Sequence, residues 1–462
     1  MPTKKSINFE ISERKILLRL LDIVFVLGGL HIIGSYFNFE YFTLSKESWY
    51  WAFVLAVYIT LIGTVFELYD LQASSRLDTT FKNVVLTSSV TVLFYLLTPI
   101  LTPFLPVKRI EIIYFYLTIL VSIFLWRMIY VSLFNSPRFY KKVLLIGEAS
   151  HITSMVKSLN EIDPNYDIIG FINSEDRNDF QLGSLKEFNT KELLDVVKSH
   201  KISEIVVASY NAEAITPELY SKLINLLERG HVIREYTQVY ESLVHRIPVQ
   251  FVGKDFYKYF PFSRSNQNRL YLFFSRTLDI LISFIGLIFM VLVSPFIILG
   301  NLIANKGPLI YKQERVGKNG KLFNIIKFRT MIADAENKGV QWAKQNDVRV
   351  TKFGRLLRNT RLDELPQFIN VLRGEMALIG PRPERPYFVK ELSQMIPFYE
   401  TRHIIKPGLT GWAQVKMRYG ASVDDSLTKL QYDLFYIKRR SFFLDVNVIV
   451  KTISTILYYR GQ

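Results

Sequence analysis

A chain of 462 residues has room for two or three domains, and 49% hydrophobic residues beside a net charge of +16 fit neither an ordinary cytosolic enzyme nor a disordered tail. The absence of cysteine excludes disulfides and thiolate metal centres. Six histidines without ligand spacing argue against zinc, so a metal here is expected to be a hard cation on carboxylates, with Mg2+ first.

The amino terminus carries Lys4, Lys5, Arg14, Lys15 and Arg19 ahead of an apolar run too long for a signal peptide and without a cleavage site. Four runs, 16–37, 49–66, 84–105 and 110–134, have about the length of membrane-crossing helices. Trp49, Trp51, Tyr69, Tyr114 and Trp126 lie towards their ends, as an interfacial aromatic belt would. The second run is short, and the third contains Pro99 and Pro103. Flanking cations place both ends of this four-helix transmembrane bundle, 1–138, in the cytoplasm.

Strand-like runs at 143–147, 166–172 and 202–209 alternate with helical patterns from about 150, at 191–199 and at 216–228. That alternation predicts a small Rossmann-like α/β module over 139–260. Its first turn, Gly147-Glu-Ala-Ser150, lacks the glycine-rich phosphate fingerprint, and Glu148 would oppose a pyrophosphate. A structural or regulatory role is expected in place of dinucleotide binding.

Arg276-Thr-Leu-Asp279 precedes an apolar run, 280–299, which contains Ser294-Pro295. It reads as an ordinary span or as a helix bent at Ser294-Pro295 that enters and leaves one membrane face. Lys312, Arg315, Lys318, Lys321, Lys327 and Arg329 follow it, against Glu314 alone, and favour the second reading.

From Pro308 the chain is soluble in character, with a hairpin or loop at Gly317-Lys-Asn-Gly320. Arg349, Lys352, Arg355, Arg358 and Arg361 then precede the adjacent acids Asp363 and Glu364. Two readings stand for the pair. Pro366 suits the first turn of a helix, which makes Asp363 an N-cap and puts Leu365, Phe368, Ile369 and Leu372 on one apolar face. Alternatively the acids and cations handle an anion and a metal. Arg382 in Gly380-Pro-Arg-Pro383 is a rigid phosphate clamp or a solvated arginine. The last stretch, 435–459, lies at a lipid interface through Lys438, Arg439 and Arg440, or packs on its own domain.

Over most of its length the sequence resembles the bacterial polyprenyl-phosphate sugar phosphotransferases, the large monotopic phosphoglycosyl transferases. The resemblance is strongest over 276–457. It rests on the ordered set Arg276-x-x-Asp279, Ser294-Pro295, Gln313-Glu-Arg-Val-Gly317, Lys327-Phe-Arg-Thr-Met331, Leu362-Asp-Glu-Leu-Pro-Gln367, Gly380-Pro-Arg-Pro383 and Pro407-Gly-Leu-Thr-Gly-Trp-Ala-Gln414. It implies a mostly α-helical catalytic domain over 270–462, with a re-entrant membrane helix at 276–304 broken at Ser294-Pro295. It also implies that Asp363 attacks the β-phosphate of a UDP-sugar, glucose or galactose foremost, with release of UMP. Undecaprenyl phosphate then takes the sugar phosphate, as a first membrane step of exopolysaccharide, capsule or O-antigen synthesis.

On the same resemblance Asp363 and Glu364 hold Mg2+. Arg358, Arg382, Lys327, Arg329 and Arg418 bind phosphate. Arg276, Asp279, Ser294 and Pro295 shape the helix. The segment after Gln414 reads Val-Lys-Met-Arg418 where the family commonly has Asn-Gly-Arg. The implied partners are a UDP-sugar, undecaprenyl phosphate and the lipid bilayer of the bacterial inner membrane, with a homodimer as a further candidate. A non-catalytic scaffold of polysaccharide export is the alternative. Nucleic acid is not expected, because the cations lack interleaved aromatics and adjoin apolar helices.

Overall fold

The computed structural model describes residues 11–37, 41–42, 48–69, 77–134, 141–148, 152, 155–156, 159, 166–173, 185–208, 215–249, 266–305, 307–332, 335, 347–417, 420 and 422–457. The chain forms two compact units, Met1–Val239 and Tyr240–Gln462.

The first unit opens with four apolar helices: α1 (Ile11–Phe37), α2 (Trp49–Val65), α3 (Leu77–Leu97) and α4 (Ile110–Phe134). They share a core in which Leu18, Leu30, Leu55, Ile59, Val84, Tyr95, Phe115 and Ile123 are fully or almost fully buried. Segments of α1, α3 and α4 are long and apolar enough to cross a membrane, whereas α2 is a shorter apolar helix. The third helix stops at Leu97 and does not run to 105 as the hydropathy suggests. Pro99 lies just beyond, and proline disfavours helical geometry in the residue before it.

The α/β part has strands β1 (Lys141–Gly147), β2 (Tyr166–Asn173) and β3 (Lys186–Glu187), helix α5 (Leu193–Ser199), strand β4 (Glu204–Ala208), helix α6 (Pro217–Glu228) and strand β5 (Val232–Glu235). The sheet is parallel throughout, in the order β3-β2-β1-β4-β5. Leu193, Val197, Leu219, Leu223 and Leu226 bury one side of each helix against Leu144, Ile146 and Ile205. The two edge strands were not foreseen, because each is short and rich in charged residues.

Helix α7 (Tyr236–Val244) leads into the second unit. Residues 240–249, which the sequence reading assigned to the α/β module, pack within that unit. Ile247 N donates to Gln431 O, Trp412 Nε1 donates to His245 O, and Lys438 and Arg439 pair with Glu241.

Helix α8 (Arg269–Gly300) dominates the second unit, followed by a π-helical turn, Asn301–Asn305. Helical secondary structure in α8 runs on through Pro295, and a helix can bend at a proline while remaining helical on both sides. Proline removes the bond to Val291 O, and Ser294 Oγ donates to the neighbouring carbonyl of Met290 at 2.6 Å, a back-bond that favours bending of the turn.

One stripe of α8 packs on the rest of the unit. Arg276 donates to Val371 O and Leu372 O, and Asp279 accepts from Leu378 N. Ser283 is buried, a Cβ at Gly286 would meet the ring of Phe368, and a Cβ at Gly300 would meet that of Phe353. Met290, Val293 and Ile297 pack with Phe328 and Leu357. The contact positions alternate by three and four residues, as a helix lying along a surface requires. Leu281, Phe284, Ile285, Val291, Leu292 and Phe296 on the other side are exposed.

Antiparallel strands β6 (Ile310–Val316) and β7 (Leu322–Phe328) form the hairpin expected around Gly317–Gly320. There follow α9 (Lys352–Asn359), α10 (Gln367–Arg373), β8 (Ala377–Ile379), α11 (Pro386–Met395), β9 (Gly408–Thr410), α12 (Trp412–Lys416), α13 (Val423–Arg439) and α14 (Phe442–Leu457). Strands β8 and β9 are parallel neighbours. Helix α14 packs on its own unit: Val448 is fully buried, and Asp445 accepts from Tyr271 and Tyr436 hydroxyls. Phe442 and Phe443 remain exposed.

Candidate active site

The carboxylate pair is held by a chain reversal. Thr351 Oγ1 accepts from Gly354 N and caps α9. After α9, Arg361 takes a left-handed conformation (φ +60°), and a 3-10 turn, Leu362–Glu364, follows. Pro366 then precedes α10, which closes at Gly374 (φ +80°), where glycine carries no steric penalty. Asp363 lies inside the 3-10 turn and makes no side-chain cap, contrary to the N-cap reading.

The buried face of α10 is Gln367, Asn370 and Val371, whereas Leu365, Phe368, Ile369 and Leu372 are half-buried. The apolar periodicity misplaced this face because Asn370 is a buried polar anchor. Its Oδ1 accepts from Ile326 N, and its Nδ2 donates to Asn324 O and to Glu375.

Glu364 is the centre of charge. Arg382 Nη2 donates to its Oε1 at 2.9 Å, Lys327 Nζ lies 3.4 Å from the same oxygen, and Arg361 Nη1 lies 3.6 Å from Oε2. Burial would raise its pKa, but Arg382, Lys327 and Arg361 outweigh burial and hold it well below the usual range. Asp363 is the opposite case. Burial and the adjacent Glu364 charge push its carboxyl up to about 6, against the pull of Lys327 and Arg358. Its Oδ1 is buried and has no hydrogen-bond partner. Burial brings Lys327 down to about 8 although Glu364 favours its charged form.

Lys327, Arg358 and Arg382 therefore gather at the pair. Arg358 Nε donates to Thr330 Oγ1 at 2.9 Å. Arg329 is used elsewhere: buried, it donates to Asn305 O at the end of the π-helical turn that follows α8. Arg276 and Asp279 fasten α8 to its unit, and Ser294 Oγ donates within α8 to Met290 O one turn before Pro295. Arg418 lies outside the described residues.

Sequence reasoning missed Arg315 and Arg402. Arg315 donates to Pro383 O and Gln313, and with Lys327, Gln367 and Arg382 it lines a small pocket beside Glu364. Arg402 is buried against Asp433 at 2.7 Å and donates to Arg382 O. Arg315 stands in the Gln313–Gly317 motif next to its partner Gln313 but was given no role in the site, whereas Arg402 is fixed by Asp433, 31 residues along the chain. A larger cleft of about 410 Å3 between the hairpin turn and α11 is lined by Val316, Asn319, Val389 and His403 and does not include the acid pair.

Among the described residues no three acidic or histidine side chains gather around a metal. Asp363 nevertheless fits Mg2+ through its unpartnered oxygen, since this ion commonly takes one or two carboxylates and completes its shell with water and phosphate. Glu364 fits poorly, because three cations already occupy it.

A family model for bacterial sugar transferases matches residues 270–459. The chain is similar to the UDP-N-acetylgalactosamine-undecaprenyl-phosphate N-acetylgalactosaminephosphotransferase of Aeromonas hydrophila, 47% identical over 191 residues. That match covers 41% of this chain and 44% of the Aeromonas protein. It is 40% identical over 158 residues to the uncharacterized sugar transferase EpsL of Bacillus subtilis (strain 168), covering 33% of this chain and 72% of that one. Similarity to the undecaprenyl-phosphate glucose phosphotransferase of Komagataeibacter xylinus is more extended, 29% over 367 residues, covering 75% of this chain and 65% of the relative. The chain thus spans less than half the length of the Aeromonas relative.

Proposed function

Because the chain belongs to the bacterial sugar transferase family, we propose that it transfers a sugar 1-phosphate from a UDP-sugar to undecaprenyl phosphate through Asp363. In the first step an Asp363 oxygen forms a bond to the β-phosphorus while the bond to UMP breaks and UMP leaves with the electron pair. In the second, an oxygen of undecaprenyl phosphate attacks the same phosphorus, regenerates the aspartate carboxylate and yields a lipid diphosphate sugar. A carboxylate is a competent phosphoryl nucleophile once the charge of the phosphate is masked.

The observation that carries this reading is the division of labour in the acid pair. Glu364 is locked by three cations, whereas buried Asp363 keeps an oxygen without a partner. Lys327, Arg382 and Arg358 would neutralise a diphosphate, and charge-assisted donors fixed in advance are the strongest form of such masking. Mg2+, held by Asp363, would supply further charge neutralisation of the phosphates. The relatives are named for glucose and for N-acetylgalactosamine, so UDP-glucose, UDP-galactose and UDP-N-acetylgalactosamine are the donors to compare.

The reading includes the membrane. The four amino-terminal helices form a spanning bundle of the inner membrane, and the α/β and catalytic parts face the cytoplasm. Helix α8 enters and leaves one face, with its exposed apolar side in lipid. Its attachment at both ends to the same unit supports that disposition.

The deciding experiment supplies membranes with each UDP-sugar labelled in the β-phosphate, without lipid acceptor. Label retained on the protein and UMP released are expected, both lost in Asp363→Asn. UMP release by that variant at the wild-type rate refutes the assignment.

A further inference from the structure

We propose that Gln367 donates to a non-bridging oxygen of the donor's β-phosphate, in a slot that it lines with Arg315, Lys327 and Arg382; this rests on the reaction proposed above and adds a residue to it. The buried face of α10 carries two amides, Gln367 and Asn370, 3% and 0% exposed. Asn370 is fully engaged by Ile326 N, Asn324 O and Glu375. Gln367 Nε2 is also buried, but it has no hydrogen-bond partner. A buried amide without partners costs free energy unless a ligand or water meets it.

The surroundings define what meets it. Gln367 lines a pocket of about 10 Å3 with Arg315, Ile325, Lys327, Arg382 and Pro383, room for one oxygen-sized group. Arg315 Nε is likewise buried without a partner. Arg382 is 39% exposed, against 19% for Lys327 and 18% for Arg315, so the slot is entered past Arg382 with Gln367 at its inner end. The carboxylates beside the slot are engaged by its cations: Glu364 Oε1 by Arg382 and Lys327, and Glu384 by Arg315 at 3.6 Å. Every charged group lining the slot is a cation, which favours an anionic oxygen over water.

Lys327 and Arg382 both reach Glu364, the neighbour of Asp363, so an oxygen held between them belongs to the phosphorus that Asp363 attacks. Asp363 Oδ1 also lacks a partner and stands four residues before Gln367, yet no hydrogen bond joins the two. The amide is therefore left for the phosphate and not spent on the nucleophile. Gln367 makes and breaks no covalent bond. It holds one oxygen in place while charge shifts at phosphorus, and as a neutral donor it adds no further charge beside Lys327.

The test measures UDP and UMP binding to the full chain in detergent by titration calorimetry, with Mg2+ present. Gln367→Met keeps the length of the side chain and removes the amide. UDP is expected to bind it about tenfold more weakly than wild type, UMP equally well. Its urea midpoint is expected not to fall, because the lost amide had no partner to lose. The same tenfold loss is expected when Gln367→Met is combined with Asp363→Asn. Loss of UDP affinity only where Asp363 is intact would make Gln367 an orienter of the nucleophile and overturn the phosphate contact. Equal UDP affinity of wild type and Gln367→Met overturns the slot and leaves it to water. Equal weakening of UDP and UMP overturns the β-phosphate as the group held. Gln367→Glu, of the same shape, puts an acceptor where the donor stood and decides the matter if Gln367→Met does not fold: wild-type UDP affinity in that variant overturns the slot. Failure of wild type to bind UDP refutes the donor class proposed above, and UMP release by Asp363→Asn reports separately on the nucleophile.

Discussion

Arg402 holds Arg382 by its backbone: Arg402 Nη2 donates to Arg382 O at 3.1 Å, while the guanidinium of Arg382 donates to Glu364 at 2.9 Å. The buried Arg402–Asp433 pair thus fixes the loop from which Arg382 reaches the acid pair, and Tyr399 accepts a third bond from Arg402.

Arg402→Lys keeps a charge for Asp433 but lacks the planar fork that serves all three partners together. The expected result is a fall in kcat/KM for the UDP-sugar of about 10- to 100-fold, or ~1.4–2.7 kcal/mol. A pure stability role predicts lower urea resistance with unchanged kcat/KM per folded molecule. UMP-release kinetics and urea unfolding on the same preparation separate the two.

The folded pKa of Asp363, about 6, exceeds its ordinary 3.8, so the protonated form favours folding. That contribution is full below about pH 4 and is lost as pH rises through about 6. Asp363→Asn is therefore expected to stabilise the protein by ~1–3 kcal/mol at pH 7.5 and by little at pH 4. Activity runs the other way, because the carboxylate is the nucleophile: kcat/KM should rise through about pH 6 in wild type. Thermal unfolding of both proteins at the two pH values checks the first statement. A flat wild-type profile from about pH 5 to 7 would remove the second.

Much of this was legible in the sequence. Apolar length announced the helices, short continuous apolar runs the inner strands, and a basic run closing on Asp363-Glu364 the candidate site. What was not legible depends on long-range partners. Asp433 lies 31 residues from Arg402, and Arg361's left-handed turn and the polar anchor Asn370 have no local pattern. The last two features decide that Asp363 is no helix cap and that α10 turns a polar face inward.

Glu364→Gln removes the counter-charge shared by Arg382, Lys327 and Arg361. Breaking a buried pair from one side is expected to cost about 3–5 kcal/mol of stability. Lys327, already lowered to about 8 by burial, loses the charge that favours its cationic form. The alkaline limb of kcat/KM should therefore move to lower pH, while Asp363, freed from a like charge, titrates lower and shifts the acid limb the same way. A pH profile from about 5 to 9 measures both limbs. Limbs unchanged from wild type would show that Glu364 does not set the charge state of the site.

Both ends of α8 are fastened to one unit: Arg276 and Asp279 to the carbonyls of α10 and to Leu378 N, and Gly300 against Phe353. The contact stripe from Arg276 to Gly300 rests along its whole length on that one unit, and a helix crossing the bilayer would draw the unit's buried ion pairs into the hydrocarbon. Single cysteines at Gln267 and Lys318 are therefore expected to face the same side of the membrane. The chain has no cysteine of its own, so labelling of either site is unambiguous. An impermeant maleimide added to intact cells should leave both unlabelled, and cell lysis should expose both. Labelling of Lys318→Cys but not Gln267→Cys from outside would establish a true span and reverse the placement of the acid pair.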